Sequence, residues 1–381
     1  MSGDPEGELA ALLPRLIRDS RIHYIDNLRS TLIALVIFHH ACLPFAGIGM
    51  WYYTSPHHPS MSSPVLIAFV AVNQSYFMGL LFFLGGHWSS YAADRKPWNT
   101  FCVDKLKRLG IPAVVYTLFV EPLVGYIGRE HDKPIFSALF TYWASLRGVR
   151  GPVWFIAVLL FFDLIYITVR TCLPSLSLLV PKSAAQYRAA AVVGISTVIV
   201  SSYFIRKSHP AGVVTPPLGI QLAYATQYVL AYISGTCLSR IQQYLLVSSH
   251  PGRALALAYL FAFISLGLIS IPAKFGMTWL FEVLYAIWNE LCFYFIGTAL
   301  YSFFHDWSHT TKRWGNTARH SYGAYLLHAL VVVCLQILVD VGRPGLVYGL
   351  IKTLVVGTLG VGISWAAAWV LIRVPGVGDI L

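Results

Sequence analysis

Asp26-Asn27-Leu28-Arg29-Ser30-Thr31-Leu32-Ile33-Ala34-Leu35-Val36-Ile37-Phe38-His39-His40 opens the first apolar run of the chain. After Arg29 no Lys, Arg, Asp or Glu appears before the run ends near position 47. A helix that crosses a hydrocarbon core about 30 Å thick needs roughly 20 mostly apolar residues, and 29–47 meets that length. Nine more runs of this kind follow, at 65–86, 111–128, 152–172, 189–205, 219–239, 254–272, 281–303, 322–341 and 348–372. Of the 381 residues, 57% are hydrophobic and 11% are charged, against about 25% charged in an ordinary soluble domain. A soluble protein of this size needs a charged shell that these residues cannot make, so lipid is the solvent that fits. The pattern predicts an all-α fold, a polytopic membrane helix bundle with about ten transmembrane helices.

The runs leave little chain outside the bilayer. Residues 1–27 read as an N-terminal tail with an amphipathic patch from Glu8 to Ile17, 28–373 as one transmembrane domain, and 374–381 as a short C-terminal tail. The first run lacks a small-residue cleavage site, so it is expected to stay as a helix rather than leave as a signal peptide. The apolar segment from Ile135 to Leu146 is too short to span and reads as interfacial or re-entrant.

A formal net charge of +11 suggests nucleic acid in a soluble protein. Here the cations cluster between apolar runs, which marks them as topogenic charges at an anionic leaflet, and no nucleic-acid partner is expected. Of 27 Lys and Arg, 18 fall on the N-terminal side of the spans and 8 on the other, with Lys352 inside the last span. That bias predicts cytoplasmic N- and C-termini. The six cysteines form no CxxC pair, so neither a disulfide framework nor a metal site is expected.

Four stretches can carry chemistry. His40 follows Arg29 by eleven positions, close to three full helical turns, so both side chains share a face and His40 lies roughly 16 Å deeper. An imidazole at that depth is a functional candidate by default, and histidine suits proton transfer near neutral pH. A core histidine bonded to a neighbouring helix explains the position equally well, and the sequence does not choose between His39 and His40 as a base. Lys105 and Arg108 stand three apart, which on an α-helix puts two cations on one face, able to hold phosphates; plain topogenic charge is the commoner cause. Gly151-Pro152-Val153-Trp154-Phe155 opens the fourth run, and Ser321-Tyr322-Gly323-Ala324-Tyr325-Leu326-Leu327-His328 opens the ninth. Trp154, Tyr322 and His328 fit substrate support or core packing.

In order along the chain, these residues resemble the integral-membrane acyltransferase family 3, which includes polysaccharide O-acetylases and glucan succinyltransferases. The resemblance runs from about Tyr24 to Trp369. Arg29 and His40 match the family's Arg-x10-His signature. Lys105 and Arg108, followed by Leu109 and Pro112, match its Arg-x-x-Arg element with Lys in the first place. Asn73 to Gly86 is similar to the family's NQxFFMGLFFxLSG stretch, and Ser321 to His328 to its SYxxYLxH close. Gly85-Gly86-His87 stands where Ser-Gly-Tyr is usual, which puts substrate range in question.

The resemblance implies a membrane-embedded O-acyltransferase that takes an acyl group from acyl-CoA, commonly acetyl-CoA, as co-substrate. His40 would act as base with Arg29 at the pocket mouth, Arg29, Lys105 and Arg108 would hold the donor, and His39, Trp154, Tyr322 and His328 would support the site. No metal is implied. The chain is similar to the shorter stand-alone members associated with natural products, so the expected acceptor is a small hydroxyl compound, with a sugar hydroxyl as alternative. The competing class is a proton-coupled transporter with His40, His328 and Asp163 as a relay. Few acidic residues inside spans argue against it.

Overall fold

The computed structural model describes residues 22–48, 51–58, 63–130, 132–145, 148–173, 180–246, 250–342 and 344–381. Most of the expected N-terminal tail, with its amphipathic patch, lies outside the described residues. Among them nine helices are long and apolar enough to cross a membrane: α1 His23–Ala46, α2 Pro64–Ala93, α3 Trp98–Glu130, α5 Gly151–Cys172, α6 Ala184–Ser208, α9 Pro251–Lys274, α10 Thr278–Asp306, α11 Thr317–Val339 and α12 Leu346–Leu371. The short α4, Ile135–Ala144, is the apolar segment after α3. Phe136 and Phe140 on it are exposed, as befits a helix lying against lipid.

The run expected to span as 219–239 is built differently. Its front is spent in a turn with a bridge between Thr215 and Ile220. A helix forms only over α7, Ala225–Thr236, breaks at Cys237, and resumes as α8, Leu238–Leu245. Twelve residues give about 18 Å of α7, less than a full crossing. The ends show that α7 and α8 together make the tenth passage. Arg206, near the end of α6, sits over Tyr224 and Tyr285, the latter near the start of α10. At the other face Gly252, at the start of α9, lies beside Phe303 near the end of α10.

Both ends of the helical domain lie on one face, called here the N-face. Asn27 Nδ2 donates to the carbonyls of Thr310 and Lys312 in the α10–α11 connection, at 2.6 and 2.7 Å. At the far end of the chain, Trp365 Nε1 on α12 donates to the Thr317 carbonyl at the start of α11.

Close packing of α2 on α7 rests on two glycines. A Cβ on Gly235 would stand 1.9 Å from the Phe83 carbonyl oxygen, and one on Gly86 would stand 2.2 Å from the Tyr232 carbonyl oxygen. Without a hydrophobic force between helices in lipid, such backbone contact supplies much of the association. Gly86 is the glycine that the stretch keeps between its two departures, Gly85 and His87, and it fixes packing of the broken helix.

Gly235→Ala is therefore expected to overpack the α2–α7 contact and destabilise the fold by about 1–3 kcal/mol or more. Gly267→Ala, with nothing within 4 Å of its Cβ, should be neutral or slightly stabilising. Thermal unfolding of both variants in detergent checks this; equal melting temperatures would remove the packing account.

Candidate active site

Three helix-interior prolines organise the region around His40. A proline lacks the N–H that would bond the carbonyl four residues back, and in lipid that carbonyl must find another donor. Pro44 in α1 frees the His40 carbonyl, and Gln336 Nε2 of α11 donates to it at 2.9 Å. Pro112 in α3 frees the Arg108 carbonyl, which accepts the Tyr322 hydroxyl of α11 at 2.7 Å. Pro122 frees the Leu118 carbonyl, which accepts Trp143 Nε1 of α4 at 2.9 Å. The first two bonds tie α1 and α3 to the same helix, α11.

α11 also brings His328 against His40. His328 Nδ1 lies 2.5 Å from the Tyr325 carbonyl, and its Nε2 lies 2.9 Å from His40 Nδ1. A carbonyl only accepts, so Nδ1 of His328 carries the proton, and in the neutral ring Nε2 is the acceptor. His40 Nδ1 then donates to it, and His40 Nε2 keeps its lone pair. This tautomer is assigned from the hydrogen-bond pattern. Both rings are nearly parallel, with centroids 5.1 Å apart.

On the other side His40 stacks on Trp51, with centroids 4.3 Å apart and an 11° angle. Trp51 belongs to the loop 51–58 after α1. Its indole N–H donates to Gln336 Oε1 at 2.8 Å, so one glutamine holds both the His40 backbone and the ring stacked on its side chain. The start of the loop is pinned residue by residue. Arg129 donates to the Trp51 carbonyl, and the Tyr52 hydroxyl donates to the buried Glu121 of α3. Gly151, at φ +65°, makes room for both; a Cβ there would fall 2.0 Å from the Tyr52 hydroxyl. Tyr53 donates to Asp340 at 2.8 Å, and Lys352 of α12 pairs with Asp340 at 2.6 Å. Burial pushes the Asp340 carboxyl up, but the bonds from Lys352 and Tyr53 outweigh it and hold it below its usual range.

The remaining candidates divide. His39 is buried against Phe77, 4.9 Å between centroids, and its Nδ1 has no hydrogen-bond partner. Arg29 is half-buried at the N-face, bonded to the Ala318 carbonyl and to Asp26. Tyr322, one turn beyond Ala318, holds the Arg108 backbone, so Arg29 and the exposed Arg108 flank the first turns of α11. Trp154 stands in an aromatic wall with Phe82 and Tyr228, joined to the histidine pair through the rings of Phe155 and Tyr325.

Lys105 and Arg108 do not share a face. A π-helical turn, Leu106–Gly110, follows Lys105, and its i→i+5 pattern widens the turn. Lys105 points inward to the fully buried Asp163 at 2.7 Å and to Ser89 at 2.8 Å, while Arg108 points out. Asp163 also accepts from Tyr232 at 2.6 Å. Trp51, Gln336, Glu121 and Arg129 were not singled out from the sequence. The only signal for Gln336 was Pro44, which leaves the His40 carbonyl in need of a donor. Among the described residues no group of three His, Cys, Asp or Glu is placed to hold a metal ion.

Fold and site define a polytopic membrane protein with a hydrogen-bonded histidine pair in its interior. A family model described as an acyltransferase domain, that of acyltransferase family 3, matches residues 22–373. The chain belongs to that family and is a membrane acyltransferase. No curated protein and no solved structure matches it.

Gln336→Leu would leave the His40 carbonyl and the Trp51 N–H without partners, at a cost of about 1–3 kcal/mol. Pro44→Ala restores an N–H four residues from that carbonyl, so the double variant should regain part of the loss. A double-mutant cycle on unfolding free energy measures the coupling; strictly additive effects would break the proposed link between Pro44 and Gln336.

Proposed function

We propose that the protein moves an acyl group, acetyl in the simplest case, from acyl-CoA to a hydroxyl, with His40 as the general base. The observation that carries this reading is the one-way chain from the Tyr325 carbonyl through His328 to His40, which leaves His40 Nε2 as a lone pair. A hydroxyl is a weak nucleophile at neutral pH and needs an adjacent base held in orientation by a third group. His40 Nε2 takes the hydroxyl proton as the oxygen attacks the thioester carbonyl. The tetrahedral adduct collapses, the C–S bond breaks, and the CoA thiolate takes the proton back from His40. The face of Trp51 favours the imidazolium formed in between.

Donor binding is assigned to the N-face. Lys105 does not fit the role of phosphate ligand, because Asp163 and Ser89 engage its ammonium. Arg108 fits it better: it is exposed at one end of α11, beside Arg29, which is held by Asp26 and the Ala318 carbonyl about 16 Å along α1 from the level of His40. A nucleotide head held there leaves the pantetheine arm to cover that depth. The acceptor must bring its hydroxyl to mid-membrane depth between helices, which favours a small or amphipathic molecule; a sugar hydroxyl is the alternative.

The test is CoA release from acetyl-CoA by the purified protein in detergent. His40→Ala should lower the rate by about 10²–10⁴-fold while CoA still binds. His328→Phe should also lower it, and His328→Gln, which can accept from His40 and donate to Tyr325, should recover part of the rate. Full activity in His40→Ala would discard His40 as base. Absence of CoA binding in the wild type would discard the donor.

A further inference from the structure

At the N-face α11 and α12 leave a notch of about 210 Å³ between them. Asn316, Arg319 and His320 line it from the start of α11, and Trp369, Ile372 and Arg373 from the end of α12. No carboxylate is among them. At about 30 Å³ per water molecule, the space takes a phosphate group. Arg373 lies 3.3 Å over the Trp369 ring and donates to the Trp369 carbonyl at 2.5 Å, which fixes its guanidinium at the rim. Arg319 is exposed and forms no ion pair among the described residues.

The surroundings say where the anion comes from. Trp369 is 49% exposed at the end of a spanning helix, where tryptophan marks the headgroup level of a bilayer. Trp369 and Ile372 give the notch an apolar wall on the lipid side, and the arginines give it a cationic one. Basic pockets between membrane helices at this level suit lipid phosphates, and guanidinium forks bind them bidentately.

We infer that the notch between α11 and α12 binds the phosphate of an anionic phospholipid from the leaflet on the N-face. A phosphocholine head brings its own cation toward Arg319 and Arg373, so it binds less well. The notch shares no lining residue with the histidine pair or with Arg29 and Arg108, so this site stands or falls apart from the donor reading.

The test is titration calorimetry of the full-length protein in a neutral detergent with dioctanoylphosphatidylglycerol. Expected is saturable binding that weakens with added salt, is at least about tenfold weaker for dioctanoylphosphatidylcholine, and drops by a similar factor in an R319Q/R373Q double variant. Both arginines are exposed, so that variant should fold; its melting temperature without lipid checks this. R95Q, at the same face but outside the notch, should bind like the wild type. Equal binding of the two lipids, or an unchanged double variant, would overturn the proposal. Displacement of the lipid by inorganic phosphate or by CoA would assign the notch to a soluble phosphate and overturn it too.

Discussion

A backbone carbonyl in lipid without a donor costs several kcal/mol, and the site depends on how this bundle meets that constraint. Prolines at 44, 112 and 122 each release one carbonyl inside a spanning helix. The donors that answer are Gln336, Tyr322 and Trp143. Two of the three come from α11, so the prolines do more than bend α1 and α3: they specify which helix each must touch and at what height. The height matters because α11 also carries His328. Once Gln336 reaches the His40 carbonyl, two turns of α11 separate it from His328, and His328 falls level with the His40 ring.

The same bond network sets the sense of the hydrogen bonds between the two rings. A histidine pair alone has no preferred sense, since either ring can donate to the other. The Tyr325 carbonyl, which only accepts, removes that freedom by claiming the Nδ1 proton of His328. Every tautomer downstream then follows, and the free lone pair ends on His40 rather than on His328. Under the proposed function the Tyr325 carbonyl would take the place of the buried orienting acid in hydrolytic triads, as a neutral group. In a low-dielectric interior a neutral acceptor avoids the desolvation penalty that a carboxylate would carry there.

Much of this was legible in the sequence, and the rest was hidden for physical reasons. Apolar length located nine spans, and the eleven-residue spacing put Arg29 and His40 on one face. The broken span at 219–239 was not legible, because hydropathy counts apolar residues and takes no account of a turn that uses up the front of the run. α-Helical periodicity puts Lys105 and Arg108 on a common face, and a π turn between them changes the period. Trp51 and Gln336 carry no sequence signal of their own, because neither belongs to a recurring spacing. One sits in a loop and the other is a lone amide in an apolar helix, and their meaning lies in a carbonyl that a third residue leaves open.

The fate of Lys105 also bears on the competing transporter reading. That reading needs His40, His328 and Asp163 in one relay. His40 and His328 do pair, but Asp163 is closed within a separate cluster of Lys105, Ser89 and Tyr232. Lys105 and Tyr232 engage the buried carboxylate there, and neither imidazole belongs to that cluster. Removing Lys105 would leave that charge stranded, a change worth about 3–5 kcal/mol in comparable buried pairs. Loss of activity on substituting Lys105 would therefore report first on the packing of α2, α3, α5 and α7. The cations whose loss can report on a bound anion are those whose heads reach the N-face without a buried partner, and Arg108 is the clearest of them.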